Sequence, residues 1–127
     1  MQRSRLMGEG YEPQVWQEGG RLTYSLPVES GFVSFDFTFE IQQPDLDVLL
    51  TDDYRRAVLE IVAHTLLQCA SVRINFTQSD FDKLIADTLH ASPEGLQALI
   101  ARVSQDHHIG IEPYAQQIMA RRCGLRR

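Results

Sequence analysis

The sequence predicts an α+β fold, an N-terminal three-stranded antiparallel meander covered by about four C-terminal helices. Three observations predict it. Apolar–polar alternation is strongest in the first third of the chain, and apolar residues at three- and four-residue spacing dominate the rest. The connections between the alternating segments are too short for helical crossovers, so strands come first and helices after. At 127 residues the chain has the length of one domain, read as residues 1–127, with residues 1–12 and 125–127 expected to be flexible.

The strands are read in order. Residues 15–17 lead into Glu18-Gly19-Gly20, a turn whose glycines take positive φ without steric penalty. In residues 21–28, Leu22, Tyr24, Leu26 and Val28 alternate with Arg21, Thr23, Ser25 and Pro27. Pro27 cannot donate to a ladder, which predicts a strand end or an edge position. After a second turn at Glu29-Ser30-Gly31, residues 32–41 form the clearest strand. Val33, Phe35, Phe37, Phe39 and Ile41 share one face, and Ser34, Asp36, Thr38 and Glu40 share the other. The meander therefore has an aromatic face that needs a cover of helices, and a polar, acidic face.

Gln42-Gln43-Pro44-Asp45 reads as the end of the sheet. Thr51 is the expected N-cap of a central helix, with Asp52 and Asp53 in its first turn, where carboxylates suit the helix dipole. Tyr54, Val58, Ile61, Val62, Leu66 and Cys69 form its main stripe, and Leu59, Ala63 and Leu67 widen it enough to bury the helix on more than one side. Residues 71–76 read as either a short strand or a loop. Thr77-Gln78-Ser79-Asp80 has the pattern of a capping box, with Phe81, Leu84, Ile85, Thr88 and Leu89 as the buried face behind it. Ser92-Pro93 opens the next helix, which buries Leu96, Leu99, Ile100 and Val103. The last begins near Glu112-Pro113, buries Tyr114, Ile118 and Met119, and is expected to stop at Gly124.

No motif in the chain carries chemistry. The sequence contains no P-loop, no GxGxxG, no GxSxG elbow and no HExxH. Asp106-His107-His108 is the first place to look for a metal, but adjacent helical residues point about 100° apart and do not converge on one ion. These histidines are read instead as cations at a helix C-terminus, His90 as a helix-end residue and His64 as a hydrogen-bonded, half-buried residue of the central helix. Cys69 and Cys123 match no metal or redox spacing and are read as free thiols rather than a disulfide. Neither a cofactor nor a metal is expected. No apolar run approaches the ~20 residues of a membrane span, and no secretory signal opens the chain, so a cytoplasmic location is the expectation. The basic end, Arg121 to Arg127, belongs to a chain of net charge −5, against the footprint of a nucleic-acid binder.

The placement of charge says more than its total. Residues 29–53 hold seven acids and no base. The cheap reading is a solvated face. The functional reading is a surface complementary to a basic protein, formed by Asp36, Glu40, Asp45, Asp47, Asp52 and Asp53, with Trp16 or Tyr24 as aromatic anchors.

The segments Phe35-Asp36-Phe37-Thr38-Phe39-Glu40, Asp45-Leu46-Asp47-Val48-Leu49-Leu50 and Asp52-Asp53-Tyr54-Arg55-Arg56-Ala57-Val58-Leu59-Glu60 together resemble small bacterial immunity proteins. These are the antitoxins of contact-dependent inhibition and related polymorphic toxin systems. The resemblance is one of size, acidity and style over most of the chain and carries over no individual residue. It implies a non-catalytic protein that binds one cognate toxin domain, often a basic nuclease, and blocks its active site. A small acidic secretion or assembly chaperone is the alternative; it would hold a client segment in a groove or at a sheet edge, and would dimerise. An enzyme would instead gather His64 or His107 with a carboxylate in a cleft.

Overall fold

Alternation along the first third of the chain produces one antiparallel sheet with a single covered face. This computed structural model describes residues 3–8, 13–30, 33–73, 77–107 and 109–125. Four strands, β1 (Arg3–Met7), β2 (Gln14–Glu18), β3 (Arg21–Ser30) and β4 (Val33–Ile41), lie in the order β1-β2-β3-β4. The three predicted strands are β2 to β4. The fourth, β1, falls where no strand was predicted. The pairing of β1 with β2 shifts between Arg5 and Met7. That irregularity turns Met7 into the core, 6% exposed, and leaves its apolar neighbour Leu6 at 37%. Gly8 then redirects the chain at φ 89, where an added Cβ would stand 2.1 Å from the Pro13 carbonyl oxygen.

The register fixes where each peptide group points. Glu18 pairs with Arg21 around Gly19-Gly20, with Gly19 at φ 62, the positive φ that a two-residue hairpin demands. In such a hairpin the closing pair is hydrogen-bonded, and bonding alternates from there. Arg21, Thr23 and Ser25 therefore bond to β2, and Leu22, Tyr24 and Leu26 bond to β4. Pro27 sits opposite Asp36, in a pair that does not bond across β3–β4, and beyond Gln14, the last described partner in β2. Its missing N–H deletes no bond of the β3–β4 ladder. Because β3 lies between β2 and β4 and runs on to Ser30, Pro27 is neither at a strand end nor on an edge strand, which corrects the prediction.

Met7, Val15, Tyr24 and Phe39 stand in one row across all four strands, and all are buried. Phe81 covers the row, stacked on Phe39 at 4.4 Å between ring centroids and tilted against Tyr24 at 5.5 Å. Tyr24 is thus a core residue, which corrects its role as a surface anchor.

Among the described residues five helices follow, one more than predicted: α1 (Gln43–Thr51), α2 (Asp53–Arg73), α3 (Gln78–Leu89), α4 (Pro93–His107) and α5 (Ile111–Leu125). The missed helix is α1. Pro44 marked the end of the sheet correctly, but proline is also favourable in a first helical turn, and here it opens a helix that buries Leu46 and Leu49. Thr51 ends α1, its hydroxyl donating to the Asp47 carbonyl at 2.7 Å, and Asp52 caps α2 in its place, accepting from the Arg55 N–H at 3.1 Å. Helix α2 buries Ala57, Val58, Leu59, Ile61, Val62 and Ala63, the all-round burial expected of a central helix. It runs through residues 71–73, so that part of the ambiguous segment is helical; residues 74–76 lie outside the described residues. The caps at Thr77 and Ser92 form as read: Thr77 accepts from the Asp80 N–H at 3.2 Å, and Ser92 from the Gly95 N–H at 3.1 Å. Among the described side chains of α5, Ile111 and Ala115 are buried and Ile118 and Met119 pack half-buried against the core, while Tyr114 is 51% exposed, contrary to the prediction. The helix passes Gly124 and includes Leu125. The thiols of Cys69 and Cys123 fall outside the described side chains.

Candidate functional site

Six carboxylates were expected to form one displayed surface, and the fold separates them. The most consequential change is at Asp45. It lies in the first turn of α1, 8% exposed, where Oδ2 accepts from the Gln42 N–H at 2.8 Å and Oδ1 meets His90 Nε2 at 2.6 Å. Both oxygens are engaged in joining the start of α1 to the end of α3. This corrects its assignment to a partner surface.

Asp52 is likewise structural. Besides capping α2, its Oδ2 lies 3.4 Å from Arg55 Nε. Arg55 Nη1 donates to the Thr88 carbonyl at 2.8 Å, satisfying one of the acceptors that a helix leaves open at its C-terminus. Asp53 occupies the first turn of α2 and is half-buried. Asp47 is exposed and accepts from Gln43 Nε2 at 3.0 Å. The side chain of Asp36 lies outside the described ones; its register position is opposite Pro27.

Glu40 remains on the outer face but does not stand alone there. Arg21 Nη2 lies 3.2 Å from its Oε2, both side chains being well exposed, an arrangement that contributes at most about 1 kcal/mol. Register places Arg5, Trp16, Thr23 and Glu40 in one row across the sheet. The outer face is therefore mixed in charge rather than acidic, because β1, unseen in the sequence, brings an arginine onto it. Trp16 sits half-buried in that row, its Nε1 donating to Gln14 Oε1 at 3.1 Å.

A different cluster was missed. Gln78 holds both backbone groups of Glu40: the Glu40 N–H donates to Gln78 Oε1 at 2.8 Å, and Gln78 Nε2 donates to the Glu40 carbonyl at 2.8 Å. The same Nε2 donates to Asp82 Oδ1 at 2.8 Å. The carboxamide does what a neighbouring strand's peptide group would do, and it holds the Asp82 carboxylate at the margin of the sheet beside the Glu40 backbone. Beside it, Asp80 is held below the ordinary carboxylate range by hydrogen bonds from the Thr77 N–H and hydroxyl, with Lys83 adding to the effect. No local pattern announces a contact spanning 38 residues, so only its cap was legible in advance.

At the start of α2, the Tyr54 hydroxyl donates to Glu112 of α5 and accepts from Gln97 of α4 at 3.1 Å. Partial burial, reinforced by Glu112, raises the Tyr54 pKa above 10.0, so the phenol stays neutral and ties three helices together. His64 is half-buried in α2, and His107 ends α4, as read; His108 lies outside the described residues. Among the described residues, no group of three or more His, Cys, Asp or Glu is placed to hold a metal ion, and no helix is long and apolar enough to cross a membrane. No family model, curated protein or solved structure matches the chain.

Proposed function

We propose that this chain is a non-catalytic protein-binding inhibitor, an immunity protein that neutralises a cognate toxin domain carrying a cationic active face, in the cytoplasm where that toxin would act. One observation supports the reading best: Glu40 and Asp82, from β4 and α3, are brought to one exposed margin by Gln78. Asp47 is a further exposed carboxylate on α1. This is a preorganised anionic surface of the kind that meets lysines and arginines otherwise directed at substrate phosphates, and it speeds encounter more than it adds affinity. Relative to the surface read from sequence, it loses Asp45 and Asp52 to structural duties and gains Asp82.

The test is association kinetics with the toxin domain that co-purifies from the native host. Reversing Glu40 and Asp82 to lysine should slow association at least tenfold at low salt, with a smaller effect in high salt. An association rate unchanged by that double reversal, in a protein that melts as the parent does, removes this surface. Failure of the chain to protect cells expressing the toxin removes the immunity reading itself.

A further inference from the structure

We propose that β4 accepts an extended, cationic segment of the partner as a fifth strand, pairing alongside Asp36 and Thr38 and ending at Gln78. The inference deepens the protein-binding reading and rests on it.

Ladder parity decides which way each peptide group of β4 faces. Because Leu22, Tyr24 and Leu26 bond to β4, their partners Ile41, Phe39 and Phe37 use their peptide groups on β3. Asp36, Thr38 and Glu40 must then aim theirs away from it. The two bonds from Glu40 to Gln78 show this orientation directly. Two residues earlier, Thr38 repeats the orientation at an exposed position, and its hydroxyl turns back to Ser25 at 3.3 Å. Among the described residues, no hydrogen bond takes its outward N–H or carbonyl. A strand edge of this kind is a template for another strand, and Gln78 closes it at Glu40.

Charge selects the occupant. A second copy paired across a two-fold axis would set Glu40 and Asp82 of both molecules along one seam, with Arg21 offsetting Glu40 on each side. Like charges directly opposite destabilise a strand pair, whereas opposite charges stabilise it. A segment alternating cationic and apolar residues fits instead. Its cations would stand beside Glu40 on the outer face, and its apolar residues beside Phe37, which is half-buried on the inner face.

A capped hexapeptide, Lys-Val-Lys-Val-Lys-Val, serves as the probe, and Glu-Val-Glu-Val-Glu-Val as its control. Titrating the lysine peptide should slow hydrogen exchange at the Thr38 amide and shift the Asp36 and Thr38 resonances; the glutamate peptide should do neither. Thr38→Pro removes an outward donor but no bond to β3, the situation Pro27 already occupies, and should weaken binding at least tenfold with the fold retained. Gln78→Ala exposes the Glu40 groups and should tighten binding severalfold. Equal effects of both peptides, no protection at Thr38 in the parent protein, or dimerisation through β4 in sedimentation would overturn the proposal. Because the assay contains no toxin, its failure leaves the inhibitor reading standing, and a toxin left unneutralised removes that reading while leaving the edge result intact.

Discussion

Removing the Phe81 ring should be the most damaging single truncation at the junction of sheet and helices. Phe81 is fully buried and stacks on Phe39 at an interplanar angle of 9°, while also touching Tyr24. Truncating a buried phenylalanine to alanine costs about 3–5 kcal/mol, and each aromatic pair is worth about 0.5–1.5 kcal/mol beyond its buried area. Two such pairs place Phe81→Ala toward the upper end, about 4–5 kcal/mol. For a domain whose total stability is about 5–15 kcal/mol, that is a large fraction. Urea unfolding followed by circular dichroism should show the midpoint falling by roughly 2 M if the slope is about 2 kcal/mol/M and unchanged. A double-mutant cycle with Phe39→Ala isolates the stack, with an expected coupling of about 1 kcal/mol. A loss below about 1.5 kcal/mol, or coupling indistinguishable from zero, would refute the claim that this stack joins α3 to β4. The claim bears on function, because Gln78 lies three residues before Phe81 and depends on the same packing to reach Glu40.

Three further outcomes follow from the geometry. Asp45→Ala removes an N-terminal cap and the His90 contact together and should cost about 1–2 kcal/mol in urea unfolding, whereas a surface carboxylate would cost almost nothing. Gly8→Ala places a methyl group against the Pro13 carbonyl at a positive φ and should destabilise by about 1–3 kcal/mol, while Gly20→Ala, with nothing within 4 Å, should stay within about 0.5 kcal/mol. Asp80 has a lowered pKa, so its stabilisation is present above its ordinary value of 3.8 and is lost as pH falls through the depressed folded value. Tyr54 has a raised pKa, so its contribution is present below 10.0 and lost as pH rises through the folded value; Asp80→Asn and Tyr54→Phe should flatten the acid and alkaline limbs of the stability profile respectively.

The legible parts of the fold were those encoded by periodicity or by a cap. Alternation over residues 33–41 located β4, and the Thr77–Asp80 and Ser92–Pro93 signatures located the starts of α3 and α4. The strand β1 was missed because Arg3-Ser4-Arg5-Leu6-Met7 has too few apolar residues to alternate, and its shift in register sends two neighbouring residues to different environments. Helix α1 was missed because one proline can end a strand or begin a helix, and local sequence does not say which. Tyr114 was misplaced because α5 buries a narrower stripe, through Ile111 and Ala115, than its apolar content suggested. At the candidate site the composition was visible and the arrangement was not. The contacts that arrange it, Glu40 with Gln78 and Asp45 with His90, join residues 38 and 45 positions apart.

The acidic run misled for a reason that generalises. A carboxylate in the first turn of a helix already has partners, because the open N–H groups and the dipole there stabilise it. Asp45, Asp52, Asp53, Asp80, Glu94 and Glu112 all lie at or beside helix starts, so their negative charge is partly answered by their own backbone. Discounting them shifts the remaining charge away from the α1–α2 junction, toward Glu40 at the margin of the sheet, which Arg21 offsets in part, and Asp82 on the exposed side of α3. The two locations respond differently to the same chemical change. Asp52→Asn should lower stability by about 1 kcal/mol through the weakened cap and leave partner association unaltered. Asp82→Asn, on an exposed helical surface, should leave stability within about 0.5 kcal/mol and slow association. If it is instead the Asp52 substitution that slows association at unchanged stability, the surface lies at the α1–α2 junction as composition first suggested, and the margin of β4 is not where the partner docks.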